Sequence, residues 1–157
     1  MKRKNRAKQS QQVKKIQNRR ARHDYQLQDE LIVGVQLSGK ETKALRLGRG
    51  QLRGAFVNII NGELWLINAT ISSGGTFEIP ENEQTRSRKL LAKQREINNL
   101  IAAKQQGKTI VPIEFLTQGK FIKLKIAVGK GKKRWGKRQT LKKRDQDLEA
   151  RRQLTTR

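Results

Sequence analysis

The spacing of apolar residues separates a patterned middle of the chain from two ends that have no pattern. Leu31, Val33, Val35 and Leu37 alternate with less consistent neighbours, the period of two that a half-buried strand requires. Residues 41–47 (ETKALRL) have helical composition and stop at Gly48. Two apolar runs, 55–60 (AFVNII) and 63–67 (ELWLI), flank Asn61-Gly62. That dipeptide tolerates positive φ at both central positions of a type I′ turn, so a hairpin is predicted. Residues 70–84 read as a loop. Thr85 is then the predicted cap of a long helix over 86–106, with Leu90, Ile97, Leu100 and Ile101 as its apolar stripe and Gly107 as its stop. Two further strands, 109–116 and 121–128, are joined by Thr117-Gln118-Gly119-Lys120. In the second, Phe121, Lys123 and Lys125 share one face, and Ile122, Leu124 and Ile126 the other. Trp65, inside a strand, reads as core more than as a stacking platform.

The resulting order is strand, short helix, hairpin, long helix, hairpin. Five or six mostly antiparallel strands with two helices predict a mainly β fold, a small closed barrel of the oligonucleotide-binding (OB) type. No internal repeat is present. A chain of 157 residues holds one such domain plus appendages. Residues 1–17 have too few apolar side chains to bury and predict a disordered basic arm, leaving the barrel at 18–128. Beyond Gly129 the apolar pattern stops. Residues 139–154 have helix-forming composition, but Leu141, Leu148 and Leu154 are too sparse for a self-sufficient amphipathic helix. The tail at 129–157 is therefore expected to be disordered alone and to become helical on a partner. Fully helical, it would reach about 40 Å, the dimension of a probe into a channel.

Charge sharpens this division. The 37 Lys and Arg stand against 13 Asp and Glu, for a net charge of +24. Residues 1–22 hold ten basic side chains and no acid, and 129–157 hold twelve basic and three acidic. A middle with two cationic arms is the layout of a chain that grips a polyanion, and nucleic acid is the polyanion expected.

Other classes are excluded or disfavoured. The absence of cysteine rules out disulfides and thiolate metal sites and fits a reducing, cytoplasmic location. No apolar run approaches the ~20 residues of a membrane span, so no membrane partner is expected. The N-terminus lacks the apolar segment of a secretory signal, although an Arg-rich, acid-poor start is shared with organellar transit peptides. His23 is the only histidine, so neither a two-histidine metal site nor a His–His acid/base pair can be built. His23 beside Asp24 reads as a local hydrogen-bonding pair. Gly48-Arg49-Gly50-Gln51-Leu52-Arg53-Gly54 has Arg where a dinucleotide fingerprint needs its third Gly, and Gly129-Lys130-Gly131-Lys132-Lys133 lacks the spacing and Ser/Thr of a phosphate loop. Asn68-Ala69-Thr70 matches a glycosylation sequon by chance. No enzyme, cofactor or metal is expected.

The positive signals are Arg and Lys clusters beside apolar or aromatic anchors. Arg19, Arg20 and Arg22 precede His23 and Tyr25, so guanidiniums that fork to phosphates lie next to a ring that can stack on an unpaired base. Arg86, Arg88 and Lys89 fall at the start of the predicted long helix, where cations are unfavourable unless an anion lies near. The alternative is a solvated charged face. In the tail, Lys130, Lys132, Lys133, Arg134, Lys137 and Arg138 surround Trp135.

These stretches resemble a known family. Residues 18–25 (NRRARHDY) and 39–46 (GKETKALR) are similar to the opening of the bacterial SsrA-binding protein family (small protein B). Residues 86–91 (RSRKLL) with 95–97 (REI), 123–133 (KLKIAVGKGKK) and Lys137-Arg138 resemble its later segments, in order from about 18 to 145. The resemblance implies an OB barrel that binds the tRNA-like domain of transfer-messenger RNA (tmRNA), as a monomer in complex with that RNA. It also implies entry into stalled ribosomes for trans-translation, the tail reading the empty mRNA channel at the decoding centre. By resemblance, Glu41, Lys43, Arg46, Arg88, Lys89, Leu91, Lys123 and Lys125 lie on or near the RNA-binding side. Lys130, Lys132, Lys133, Trp135, Lys137 and Arg138 serve the ribosomal role of the tail. Three positions depart from the family pattern: Ile32 for a usual Glu, Thr70 for a usual His, and Gly136 for the Asp of an Asp-Lys-Arg triplet. The rival expectation is a ribosomal or ribosome-assembly protein bound to one site on ribosomal RNA. A nuclease or RNA-modifying enzyme is a more distant one.

Overall fold

In the computed structural model, residues 15–132 and 134–155 are described. In chain order the elements are β1 (Ile16–Gln17), α1 (Ala21–Asp24), β2 (Tyr25–Val35), α2 (Gly39–Arg46), β3 (Gly50–Gln51), β4 (Phe56–Ile60) and β5 (Glu63–Ile67). They continue with β6 (Thr70–Ile71), α3 (Glu81–Gln84), β7 (Arg88–Leu91), α4 (Gln94–Gln105), β8 (Thr109–Leu116), β9 (Lys123–Gly131) and α5 (Arg134–Thr155). The chain is mainly β, but five helices stand among the described residues where two were expected. Two of the extra helices, α1 and α3, are single turns of 4 residues, too short to leave a periodic stripe in the sequence.

Strands β8, β4, β5, β7, β2 and β9 are hydrogen-bonded in that order, and β9 also pairs with β8. All these ladders are antiparallel, so six strands close into a ring. Alternation then sends one side chain in two to the inside. Val33, Val57, Leu64, Leu66, Leu90, Ile110, Phe115, Leu124, Ile126 and Val128 meet there, joined by Ala44 and Leu45 of α2 and by Ile97 and Leu100 of α4. The hairpin forms as predicted, with Asn61 at φ 51° and Gly62 at φ 74°.

The long helix over 86–106 is not present. Arg88–Leu91 is a strand that pairs with β5 through Leu64↔Leu90 and with β2 through Val35↔Leu90. The helix begins only at Gln94, where the Lys93 N–H donates to the Glu96 carboxylate at 2.9 Å, and Thr85 instead closes the C-terminal end of α3. Leu90 and Ile97 are seven residues apart, two helical turns, and that coincidence disguised a four-residue strand. The strand wins because it fills the place between β5 and β2 and completes the ring. Residues 70–84, read as a loop, contain β6 and α3.

Two further expectations change. Leu64 and Leu66 are fully buried, so Trp65 between them faces outward across from Asn58 and is not core. At the N-terminus the folded body starts at Ile16 rather than at residue 18. Ile16 is buried against Gly50 and Leu45, and β1 pairs with β8 through Ile16↔Phe115. The rest of the basic arm, 1–14, lies outside the described residues.

Candidate nucleic-acid interface

Glu41, Arg86 and Arg88 form a cluster at one mouth of the ring. Ser38 caps α2, its hydroxyl accepting from the Glu41 N–H at 3.3 Å, while the Ser38 N–H donates to the Glu41 carboxylate at 3.0 Å. That turn aims Glu41 inward. Arg86 donates to both carboxylate oxygens at 2.8 and 2.7 Å, and Arg88 donates to one at 3.0 Å. The remaining Arg88 bonds go to the carbonyls of Ala69, Arg86, Glu83 and Gln84. Burial pushes the Glu41 carboxyl up. Bonds from Arg86 and the Ser38 N–H, with the charges of Arg88 and Arg86, outweigh it and hold the group below its usual range.

Glu41 and Arg88, expected on or near the RNA-binding side, are 1% and 0% exposed, so both side chains are enclosed within the fold. Arg46 is likewise occupied, donating to the carbonyls of Thr117, Gly119 and Lys120 and so pinning the β8–β9 turn. Lys43 sits 5.2 Å over the Phe77 ring.

The outward side chains beside this mouth are different. Gly34 of β2 pairs with Leu91 of β7 on one side and with Lys123 of β9 on the other. A Cβ at Gly34 would lie 3.2 Å from the Leu91 Cβ, so the glycine lets Leu91 lie close across the sheet. Ile32, Leu91 and Phe121 are 51%, 54% and 69% exposed, and Lys123 is exposed beside them. Lys120 lies 5.4 Å over the Phe121 ring. Lys89 pairs with Glu63 at 2.8 Å, and Lys125 with Glu114 at 3.3 Å, which leaves both partly neutralised. The Gln17 amide donates to Glu114 and, with Lys125 and against burial, holds that carboxyl below its usual range. Ile32 and Phe121 were absent from the expected contacts, although the alternation of 121–128 had put Phe121 on the face of Lys123 and Lys125 and Ile32 had been noted as replacing a usual Glu.

The other cationic cluster lies at the far end of the β2–β9 ladder, where Tyr25 faces Gly131. Ala21 of α1 is buried on Val111, Ile113 and Ala127, outside the ring. This seats α1 on the outer face, with Arg19, Arg20 and Arg22 exposed. His23 Nδ1 and Asp24 Oδ1 are 2.9 Å apart, the local pair expected. The chain leaves the ring at this end. The Lys132 N–H donates to the Asp24 carbonyl at 2.9 Å and its ammonium to the Arg22 carbonyl at 3.0 Å, so α1 fastens the root of the tail. Lys130 and Arg138 are exposed. Lys133 lies outside the described residues, and of Arg134, Trp135 and Lys137 only the helical backbone is described.

Among the described residues no group of three His, Cys, Asp or Glu side chains is placed to hold a metal ion, and no helix is long and apolar enough to cross a membrane.

The SmpB protein family model matches residues 15–156. The SsrA-binding protein of Coprothermobacter proteolyticus is 46% identical over 140 residues, covering 87% of this chain and 93% of the relative. That of Halalkalibacterium halodurans is 42% identical over 139 residues, covering 88% and 90%. A solved chain described as "tmRNA-SmpB: a journey to the center of the bacterial ribosome" is similar at a TM-score of 0.62 and 32% identity, covering 76% of this chain and 85% of its own. A ring of antiparallel strands with basic patches at both ends of one ladder, matched over nearly its whole length, places the chain: it belongs to the SmpB protein family.

Proposed function

We propose that this chain binds the tRNA-like domain of tmRNA and delivers it to stalled ribosomes for trans-translation, its tail sensing the empty mRNA channel. On this reading the closed ring is an OB-type barrel, and the chain acts in the cytoplasm as a monomer on RNA, without a catalytic step of its own. The observation that carries the reading is the separation of two surfaces along one ladder. The Ile32–Leu91–Phe121–Lys123 patch sits at the Gly34 end and the α1 cations with the tail root at the Tyr25 end. Nine residues of strand span about 30 Å, enough for a single barrel to touch two RNA partners at once.

The Gly34 end suits the tRNA-like domain. Apolar side chains pack against sugars and unstacked bases, and Lys123 supplies a phosphate contact. Lys43 and Lys89 lie around the same mouth, while Glu41, Arg86, Arg88 and Arg46 support the surface from behind. The Tyr25 end suits the ribosome, because Arg19, Arg20, Arg22, His23 and Tyr25 stand where the tail departs. Lys130, Lys132, Lys133, Arg134, Trp135, Lys137 and Arg138 then follow the message path. A helix of the 22 residues in α5 is about 33 Å long, a fitting length for a channel probe.

Two substitutions test the assignment by different signatures. Lys123→Ala is expected to reduce the dependence of log affinity on log salt by about 1 for the tRNA-like domain, one phosphate contact fewer. Leu91→Ala is expected to weaken binding about tenfold with the salt slope unchanged. Filter binding across a salt series measures both. Wild-type affinity in the two variants would move the RNA surface elsewhere.

A further inference from the structure

The chain enters the ring at one end and leaves it at the other. β1 pairs with β8 antiparallel, through Ile16↔Phe115 and Gln17↔Glu114. Followed backward from Gln17, the chain therefore runs toward Leu116, which pairs with Lys123, itself the partner of Gly34. Lys15 is exposed and shares a cleft with Phe115, Leu116, Thr117 and Gln118. The segment ahead of Lys15 thus joins the fold at the β8–β9 turn. That turn carries Lys120 and Phe121, and Arg46 pins it from behind. The tail departs from the opposite end, where Tyr25 faces Gly131. Residues 1–14 hold Lys2, Arg3, Lys4, Arg6, Lys8 and Lys14, with no acid and no aromatic. Glu114, the acid in the Lys15 cleft, already accepts from Gln17 and pairs with Lys125. The SmpB family model begins at residue 15, so these six cations lie ahead of the matched stretch.

We propose that residues 1–14 are a second grip on the RNA bound at the Gly34 end, a cationic strap that passes from the β8–β9 turn onto phosphates beside the Leu91–Phe121–Lys123 patch. The inference rests on the function proposed above, in which that RNA is the tRNA-like domain. Fourteen residues span at most about 50 Å. The strap's root lies two strand spacings from β9, about 10 Å, whereas the Tyr25 end is about 25 Å further along β8. A tethered segment favours the nearer target, because its effective concentration falls with the distance to be spanned. Lys and Arg without a stacking ring read phosphate and not base, so the strap adds affinity and salt dependence without adding selectivity. The two basic arms therefore divide between partners, the first on the RNA held at the Gly34 end and the second on the ribosome.

The test compares the full chain with two variants. One lacks residues 2–14, and the other is full length with Lys2→Gln, Arg3→Gln, Lys4→Gln, Arg6→Gln, Lys8→Gln and Lys14→Gln. Both keep Ile16, so β1 stays on β8. Filter binding of the tRNA-like domain across a salt series is expected to show at least tenfold weaker affinity for both at about 0.15 M salt. The slope of log affinity against log salt should fall by about 3 to 5, most of what six phosphate contacts contribute. Preference over bulk transfer RNA should change less than about threefold, because the strap reads no sequence. Place is read separately. The chain has no cysteine, so a single introduced one carries an iron chelate that cuts nearby RNA backbone. Ser10→Cys is expected to cut the tRNA-like domain at nucleotides overlapping those cut from Gln118→Cys in the β8–β9 turn, and away from any cut from Gln26→Cys at the Tyr25 end. Wild-type affinity and slope in both variants would overturn the proposal, as would Ser10→Cys cuts that coincide with those of Gln26→Cys or that miss this RNA. Failure of the full chain to select the tRNA-like domain would contradict the proposed function, and the strap would fall with it. Selection by the full chain with unchanged affinity in both variants would sink the strap alone.

Discussion

Replacing Glu41 with Ala is expected to lower the unfolding free energy by about 3–5 kcal/mol, the usual consequence of leaving a buried charge without its partner. Arg88 is fully buried, and its ion pair with Glu41 spans 3.0 Å. Without the carboxylate, that guanidinium keeps only carbonyl partners and its charge is uncompensated. Arg86, 38% exposed at its side chain, can turn to water, so the loss concentrates on Arg88. Urea denaturation measures the effect, and Glu41→Gln should lose less because hydrogen-bond acceptance survives. The pair also predicts acid sensitivity. The folded Glu41 carboxyl lies below its ordinary value of 4.5. Its contribution is therefore complete above that value and is lost as pH falls through the depressed folded one. The Glu41→Gln variant should lose stability less steeply below about pH 4.5 than wild type. Parallel pH profiles would mean that Glu41 is not the group responsible.

Removing residues 133–157 is expected to abolish peptide tagging, a loss of more than about a hundredfold in tag transfer, while affinity for the tRNA-like domain changes less than about threefold at 0.2 M salt. Ending the chain at Lys132 keeps the bonds to the Asp24 and Arg22 carbonyls, so α1 and the Tyr25 end stay formed. The deleted segment carries ten basic and three acidic side chains. Non-specific affinity for bulk RNA should fall with them, because fewer counterions are released. A reconstituted translation reaction on a message without a stop codon reads tagging, and filter binding reads affinity. Proportional loss of both would contradict the division between the strand ring and the tail. The double substitution Lys132→Ala with Lys133→Ala is a milder form of the same test.

Legibility followed the range of the forces involved. The Asn61-Gly62 hairpin and the strand at 109–116 were readable, and the strand expected at 121–128 forms over 123–131, because turn chemistry and period-two burial are local. The segment 86–106 was not. Whether Leu90 belongs to a helix or a strand depends on an opening between β5 and β2, which no local pattern records. The same holds for the cations. Arg86, Arg88 and Lys89 read alike as a charge cluster, yet Arg88 is core, Arg86 braces Glu41, and Lys89 pairs with Glu63 on the surface. Alternation inside the strand, with Leu90 inward, was the available clue that Arg88 also points in. Resemblance located the segments that matter but not which side chains face out. Exposure separates Leu91, Lys123 and Ile32, which can meet a partner, from Glu41 and Arg88, which hold the frame. Phe121 shows the reverse case, an exposed aromatic just ahead of β9 that the sequence alternation had put on the Lys123 face.

The central claim is selective recognition of a tRNA-like fold by a chain whose charge would attract any RNA. Competition binding at about 0.2 M salt tests it most directly, because non-specific phosphate attraction is weakened there. Labelled tRNA-like domain of tmRNA is displaced in turn by bulk transfer RNA and by ribosomal RNA fragments. The account predicts that both competitors are needed in large excess, at least about a hundredfold, to displace half of the label. Displacement by ribosomal RNA fragments at equal concentration would contradict it and would favour a ribosomal or ribosome-assembly protein.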